Sequence, residues 1–84
     1  MAVTELPETD RLTAVIRARS ALRVGRFREL RERHGLSQRE LARALGVDES
    51  ALSRWETHSR VPREGAAERL YAVLRVLENE GSAS

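Results

Sequence analysis

The stretch Leu36-Ser37-Gln38-Arg39-Glu40-Leu41-Ala42-Arg43-Ala44-Leu45-Gly46-Val47-Asp48-Glu49-Ser50-Ala51-Leu52-Ser53-Arg54-Trp55-Glu56 decides the fold, because it encodes two short helices joined by a tight turn. Ser37 and Glu40 have the spacing of a capping box, in which hydroxyl and carboxylate satisfy reciprocal backbone N–H groups at a helix start. Leu41, Ala42 and Leu45 form the apolar face of that first helix, and Gly46 closes it by accepting a left-handed backbone. Asp48 is an N-cap for the next helix, at about 49–57, with Ala51, Leu52 and Trp55 facing inward. Ala42 is small where the helices must cross closely, and Val47, Leu52 and Trp55 form a wedge that sets a crossing angle of about 90–120°.

Working outward, the periodicity is helical on both sides. Thr9 and Asp10 can cap a helix over 10–19 or beyond, carried by Leu12, Val15, Ile16 and Leu22. Val24, Phe27, Leu30 and Arg31 place a second helix at about 22–34, stopped by Gly35. Beyond Pro62, the residues Ala67, Leu70, Tyr71, Leu74 and Leu77 define one long helical face from about 63 to 79, leaving 80–84 as a frayed tail. No alternating β-branched run requires a sheet. The expected fold is all-α, a bundle of about five helices, with 1–20 as an N-terminal extension and 21–79 as the domain proper.

Residues 24–77 resemble the helix-turn-helix of the phage-repressor (Cro/C1-type, XRE) family, in a lambda-repressor-like fold. The Leu36-Ser37-Gln38, Glu40, Leu41-Ala42 and Trp55-Glu56 positions carry the likeness. The resemblance implies that the helix at 49–57 lies in the major groove of double-stranded DNA, with Glu49, Ser50, Ser53 and Arg54 toward base edges. Chemistry agrees, since Arg54 suits a guanine, Glu49 a cytosine amino group, and Ser50 either strand. Gln38 is implied as a phosphate ligand at a helix N-terminus, with Arg39, Arg43, Arg60 and Arg63 as further phosphate contacts. The family also couples an arginine before the motif to the glutamate closing the reading helix, here Arg31 and Glu56, as a largely buried ion pair. One departure is His58, which stands where the family commonly has glycine and tolerates a positive φ less readily.

Composition narrows the alternatives. The 84 residues include no Cys, which removes disulfides, thiolate metal sites and Cys nucleophiles. His34 and His58 are the only histidines and stand apart, so neither a metal nor a cofactor is expected. Ser37, Ser50 and Ser53 are already explained by capping or DNA contact, so no enzyme is expected. There is no signal-peptide pattern and no apolar run near the ~20 residues of a membrane span, and a cytoplasmic protein is expected. The net charge is +2, but Arg11 to His34 hold eight Arg against two Glu, a block suited to a polyanion.

Three functions fit these residues: a sequence-specific transcription regulator, read as a repressor; an antitoxin-like protein whose segment before residue 20 binds a partner toxin and which autoregulates its operon; or a weakly specific architectural DNA binder. The last helix carries more apolar surface than one core needs, with Leu70, Tyr71, Val73, Leu74, Val76 and Leu77, so either the N-terminal helix or a second subunit is expected to cover it. A homodimer suits paired half-sites.

Overall fold

The computed structural model describes residues 8–82, in five helices: α1 Glu8–Arg23, α2 Arg26–Arg33, α3 Gln38–Leu45, α4 Glu49–Glu56 and α5 Glu64–Ser82. The described residues contain no strand. One core of Val15, Ala18, Leu22, Phe27, Leu30, Leu41, Leu52, Trp55, Leu70, Leu74 and Leu77 draws on every helix. Phe27, Leu30, Leu41, Leu52 and Leu70 are its largest fully buried side chains.

The most extensive helix–helix contact joins α1 to α5. Of the surplus apolar stripe of α5, Leu70, Leu74 and Leu77 are buried and Val76 stays 57% exposed; of the α1 residues Leu12, Val15 and Ile16 anticipated to cover it, Val15 is buried. Ala14, Val15, Ala18, Ala21 and Leu22 are the buried residues of α1, whereas Leu12 and Ile16 remain more than half exposed. Alanines at this spacing let two helices approach closely, so the small residues face inward and the larger Leu12 and Ile16 turn outward. Ala14, Val15 and Ala18 share one core with Leu22 and everything after it.

Three boundaries differ from the sequence pattern. The helix expected over 22–34 is divided at Gly25, whose φ of +77° turns the chain, so Leu22 belongs to α1 and Val24 is 71% exposed. The first helix starts at Glu8, two residues earlier than expected, and runs beyond 19 to Arg23 as its apolar spacing through Leu22 allows. At the other end α5 continues through Ser82, past the tail expected from residue 80; buried Leu77 anchors its last turns, and its carbonyl lies 2.8 Å from His34 Nε2.

Three consecutive helices end in the same way. After α2 the Leu36 N–H reaches Arg31 O and the Gly35 N–H reaches Glu32 O; after α3 the Val47 and Gly46 N–H groups reach Ala42 O and Arg43 O. After α4 the Ser59 and His58 N–H groups reach Arg54 O and Trp55 O. Each is a Schellman closure, which needs a left-handed residue at its turn. Gly35 and Gly46 serve in the first two, at φ +70° and +73°, and His58 serves in the third at +69°.

Candidate nucleic-acid interface

The geometry of the α3–α4 pair begins with its caps. Ser37 Oγ accepts from the Glu40 backbone N–H at 3.0 Å, and Glu40 Oε1 accepts from the Ser37 N–H at 2.9 Å. These bonds hold the Glu40 carboxyl below the usual carboxylate range, the backbone N–H of Ser37 being the larger cause. At the far end of α3, Arg69 of α5 donates to Leu45 O at 3.0 Å and satisfies a carbonyl left over by the helix end. Asp48 holds the N-cap position of α4 without a side-chain cap hydrogen bond.

Arg31 and Glu56 fix this pair against α2. Arg31 Nε and Nη2 donate to Glu56 Oε2 and Oε1 at 2.9 and 3.0 Å, and Nη1 donates to Leu36 O at 2.8 Å. The two side chains are only 9% and 2% exposed. The hydrogen bonds to Glu56 raise the Arg31 pKa above its ordinary value, against the opposing effect of burial. Gln38 joins the same node, its Nε2 donating to Glu56 Oε1 at 2.9 Å. Its amide, read in the sequence as a phosphate ligand, is thus partly engaged inside the protein; one amide hydrogen and the unpaired N–H groups of the first turn of α3 remain.

Of the residues expected to read bases, Glu49, Ser50 and Arg54 are exposed and Ser53 is half-buried, on the side of α4 away from buried Leu52 and Trp55. The chain after α4 folds back onto its end: Ser59 N–H and Arg60 N–H both reach Arg54 O, at 2.9 and 3.2 Å. That return brings Arg54, Arg60 and Arg63 around one open cavity of about 260 Å³, together with Trp55. Arg39 and Arg43 sit exposed on α3, apart from that cavity.

Ion pairing neutralises part of the charge block read along the chain. Within the block at 11–34, Arg26, Arg28 and Arg33 pair with Glu29 and Glu32 along α2, and Arg26 also meets Glu78. Among the described residues Arg39, Arg43, Arg54, Arg60 and Arg63 form no ion pair, and neither do Arg17, Arg19 and Arg23 of α1 or Arg69 and Arg75 of α5.

A model of a helix-turn-helix domain family matches residues 24–81, about two thirds of the chain, and spans α2 to α5. The chain belongs to that family. Within the helix-turn-helix unit α3 is the first helix and α4 the second, and membership points to DNA binding. Helix α1 lies outside the matched residues. No match to a curated protein or to a solved structure was found.

Two anchoring residues have no signal in the sequence. Arg19 donates from Nε and Nη2 to Pro62 O, at 3.2 and 2.9 Å, across 43 positions of chain. Arg69 closes α3 from α5, across 24 positions of chain. Both partners are backbone carbonyls, which any residue presents, so no pairing of residue types betrays them. No helix of the described residues is long and apolar enough to cross a membrane, and no cluster of His, Asp or Glu among them could hold a metal ion.

Proposed function

We propose that this helix-turn-helix protein is a sequence-specific transcription regulator, acting as a repressor in the cytoplasm, that reads the major groove of double-stranded DNA with α4. The observation that carries this reading is the exposure of Glu49, Ser50 and Arg54 on a short helix whose rear face, Leu52 and Trp55, is buried. Beside them Arg60 and Arg63 supply unneutralised positive charge at the place where a groove-bound helix meets the phosphate backbone.

Arg54 is assigned to a guanine, through two parallel N–H donors, and Glu49 and Ser50 to neighbouring bases, with Ser53 closing the reading stripe. Gln38, through its remaining amide hydrogen and the N–H groups of the first turn of α3, joins Arg39, Arg43, Arg60 and Arg63 on phosphates. Arg31 and Glu56 touch no DNA in this scheme; they hold α4 at its angle.

The protein works as a homodimer on an operator with two-fold symmetry, its half-sites about 34–36 Å apart. Exposed Ile16 and Val24, which line an open groove between α1 and α5 with Tyr71 and Leu74, supply apolar surface for the second subunit. Selection of bound duplexes from a random pool, with light scattering of the free protein, tests both statements. A palindromic winner and a dimeric mass support them; equal binding to winner and scrambled duplex favours a weakly specific architectural binder instead.

A further inference from the structure

A basic recess lies between α1 and the loop after α4. Its cavity of about 240 Å³ is lined by Arg19 and Arg23 of α1 and by His58 and Arg60 of the loop, with Leu22, Trp55, Val61 and Pro62 supplying its apolar part. No carboxylate lines it.

The recess is held in shape by two bonds to backbone carbonyls. Arg19 is fixed to Pro62 O, which occupies only two of its five N–H donors. His58 Nε2 lies 3.1 Å from Leu22 O; a carbonyl only accepts, so Nε2 carries the proton and Nδ1 is left over. Arg23 and Arg60 are exposed and form no ion pair among the described residues. Three arginines therefore line one recess that has no carboxylate in its wall.

Size and position select the occupant. Pockets for small organic ligands run from about 300 to 1,000 Å³, and this one is smaller, though ample for a single phosphodiester. Arg60 and Trp55 line both this recess and the neighbouring cavity that contains Arg54. The recess thus continues the reading surface sideways, toward backbone beyond the base pairs under α4.

We propose that the recess binds a phosphodiester of the duplex flanking the read base pairs, with Arg23 of α1 as a phosphate ligand beside Arg60. This rests on the DNA-binding reading of the preceding subsection, and it gives α1, outside the family-matched residues, a part in binding.

The test is a salt titration of duplex binding by the full chain and by Arg23→Ala, Arg28→Ala and Arg54→Ala. Alongside it, inorganic phosphate is titrated and followed by emission of Trp55, the only tryptophan. Arg28 is the control, since it is exposed and carries the same charge but lies on α2, outside the recess, the reading cavity and the α1–α5 groove. Arg23→Ala is expected to bind about fivefold more weakly at 0.15 M salt, with the logarithmic salt slope reduced by about 0.9, the effect of one lost phosphate contact. Arg28→Ala is expected to match the wild type. Wild-type affinity and slope in Arg23→Ala, while Arg54→Ala loses its preferred site, overturn the recess and leave the DNA reading intact. Equal losses in Arg28→Ala and Arg23→Ala overturn it as well, as a general charge effect. So does a Trp55 response to millimolar inorganic phosphate that Arg23→Ala abolishes without changing the DNA slope, which assigns the recess to a free anion. A wild type that binds no duplex overturns both readings.

Discussion

Arg31 and Glu56 meet side by side, guanidinium against carboxylate, through two hydrogen bonds of 2.9 and 3.0 Å in a site almost closed to water. The third donor of Arg31 reaches Leu36 O and the second acceptor load on Glu56 comes from Gln38, so one ion pair ties α2, the α2–α3 loop, α3 and α4 together. Desolvation offsets much of the attraction in such a pair, so its main effect is to fix one arrangement of the helices.

Arg31→Ala or Glu56→Ala is expected to destabilise the protein by about 3–5 kcal/mol, because each leaves a buried charge unpaired. At about 4–8 °C per kcal/mol for a domain of this size, the melting temperature drops by well over ~10 °C. The double replacement Arg31→Met with Glu56→Leu should recover most of the loss. Calorimetry of the three variants checks this, and a melting temperature untouched by Arg31→Ala contradicts it.

Helix α1 is expected to be inseparable from the domain. Ala18 is fully buried, so Ala18→Leu should cost about 1–3 kcal/mol by overpacking. Removal of residues 1–23 exposes the faces of Leu70, Leu74 and Leu77 and should abolish the cooperative thermal transition. An unchanged melt of the shortened chain, followed by circular dichroism, counts against the shared core.

The α3–α4 pair was legible in the sequence because each of its features is local. A capping box, a glycine at a left-handed turn and an apolar face need only residues a few positions apart, and Ser37, Glu40, Gly46 and Leu52 sit as expected. Periodicity misled at Gly25, where Leu22, Val24 and Phe27 kept helical spacing across a turn. It misled again on α1, where side-chain size suggested Leu12 and Ile16 as the inner face but close helix packing selected the alanines. Linear charge is no sharper a guide, since ion pairing neutralises three arginines of α2 but leaves Arg17, Arg19 and Arg23 of α1 unpaired along with those of α3, α4 and the loop. The engagement of Gln38 by Glu56 depends on a contact across 18 positions and has no local signature.

His58 carries a left-handed backbone that costs a residue other than glycine about 1–2 kcal/mol. Its ring returns about 0.5–1.5 kcal/mol through the hydrogen bond to Leu22 O. His58→Gly, which removes both, should lie within about 1 kcal/mol of the wild type, whereas His58→Ala keeps the strain, loses the bond and should be about 1 kcal/mol less stable. Chemical denaturation of the two variants separates them, and His58→Gly markedly less stable than His58→Ala is the contrary outcome.

The capping box gives stability a pH dependence. The folded pKa of Glu40 is lowered by its bonds to Ser37, so its contribution is fully present above the unfolded glutamate pKa of about 4.3 and is lost as pH falls through the lower folded value. Glu40→Gln keeps an acceptor for the Ser37 N–H but no titrating group. Its stability relative to the wild type should therefore improve as acid is added below about pH 4.3. Parallel denaturation curves at all pH values for the two proteins contradict this assignment.

The most direct test of the reading helix pairs Arg54→Ala with base-pair substitutions in the selected duplex, measuring affinity for each combination at fixed salt. The expected result is that Arg54→Ala erases discrimination at one guanine position, worth about 1–3 kcal/mol, and leaves the other positions ranked as in the wild type. A uniform loss of affinity across all duplexes, with every base preference retained, contradicts base reading by α4.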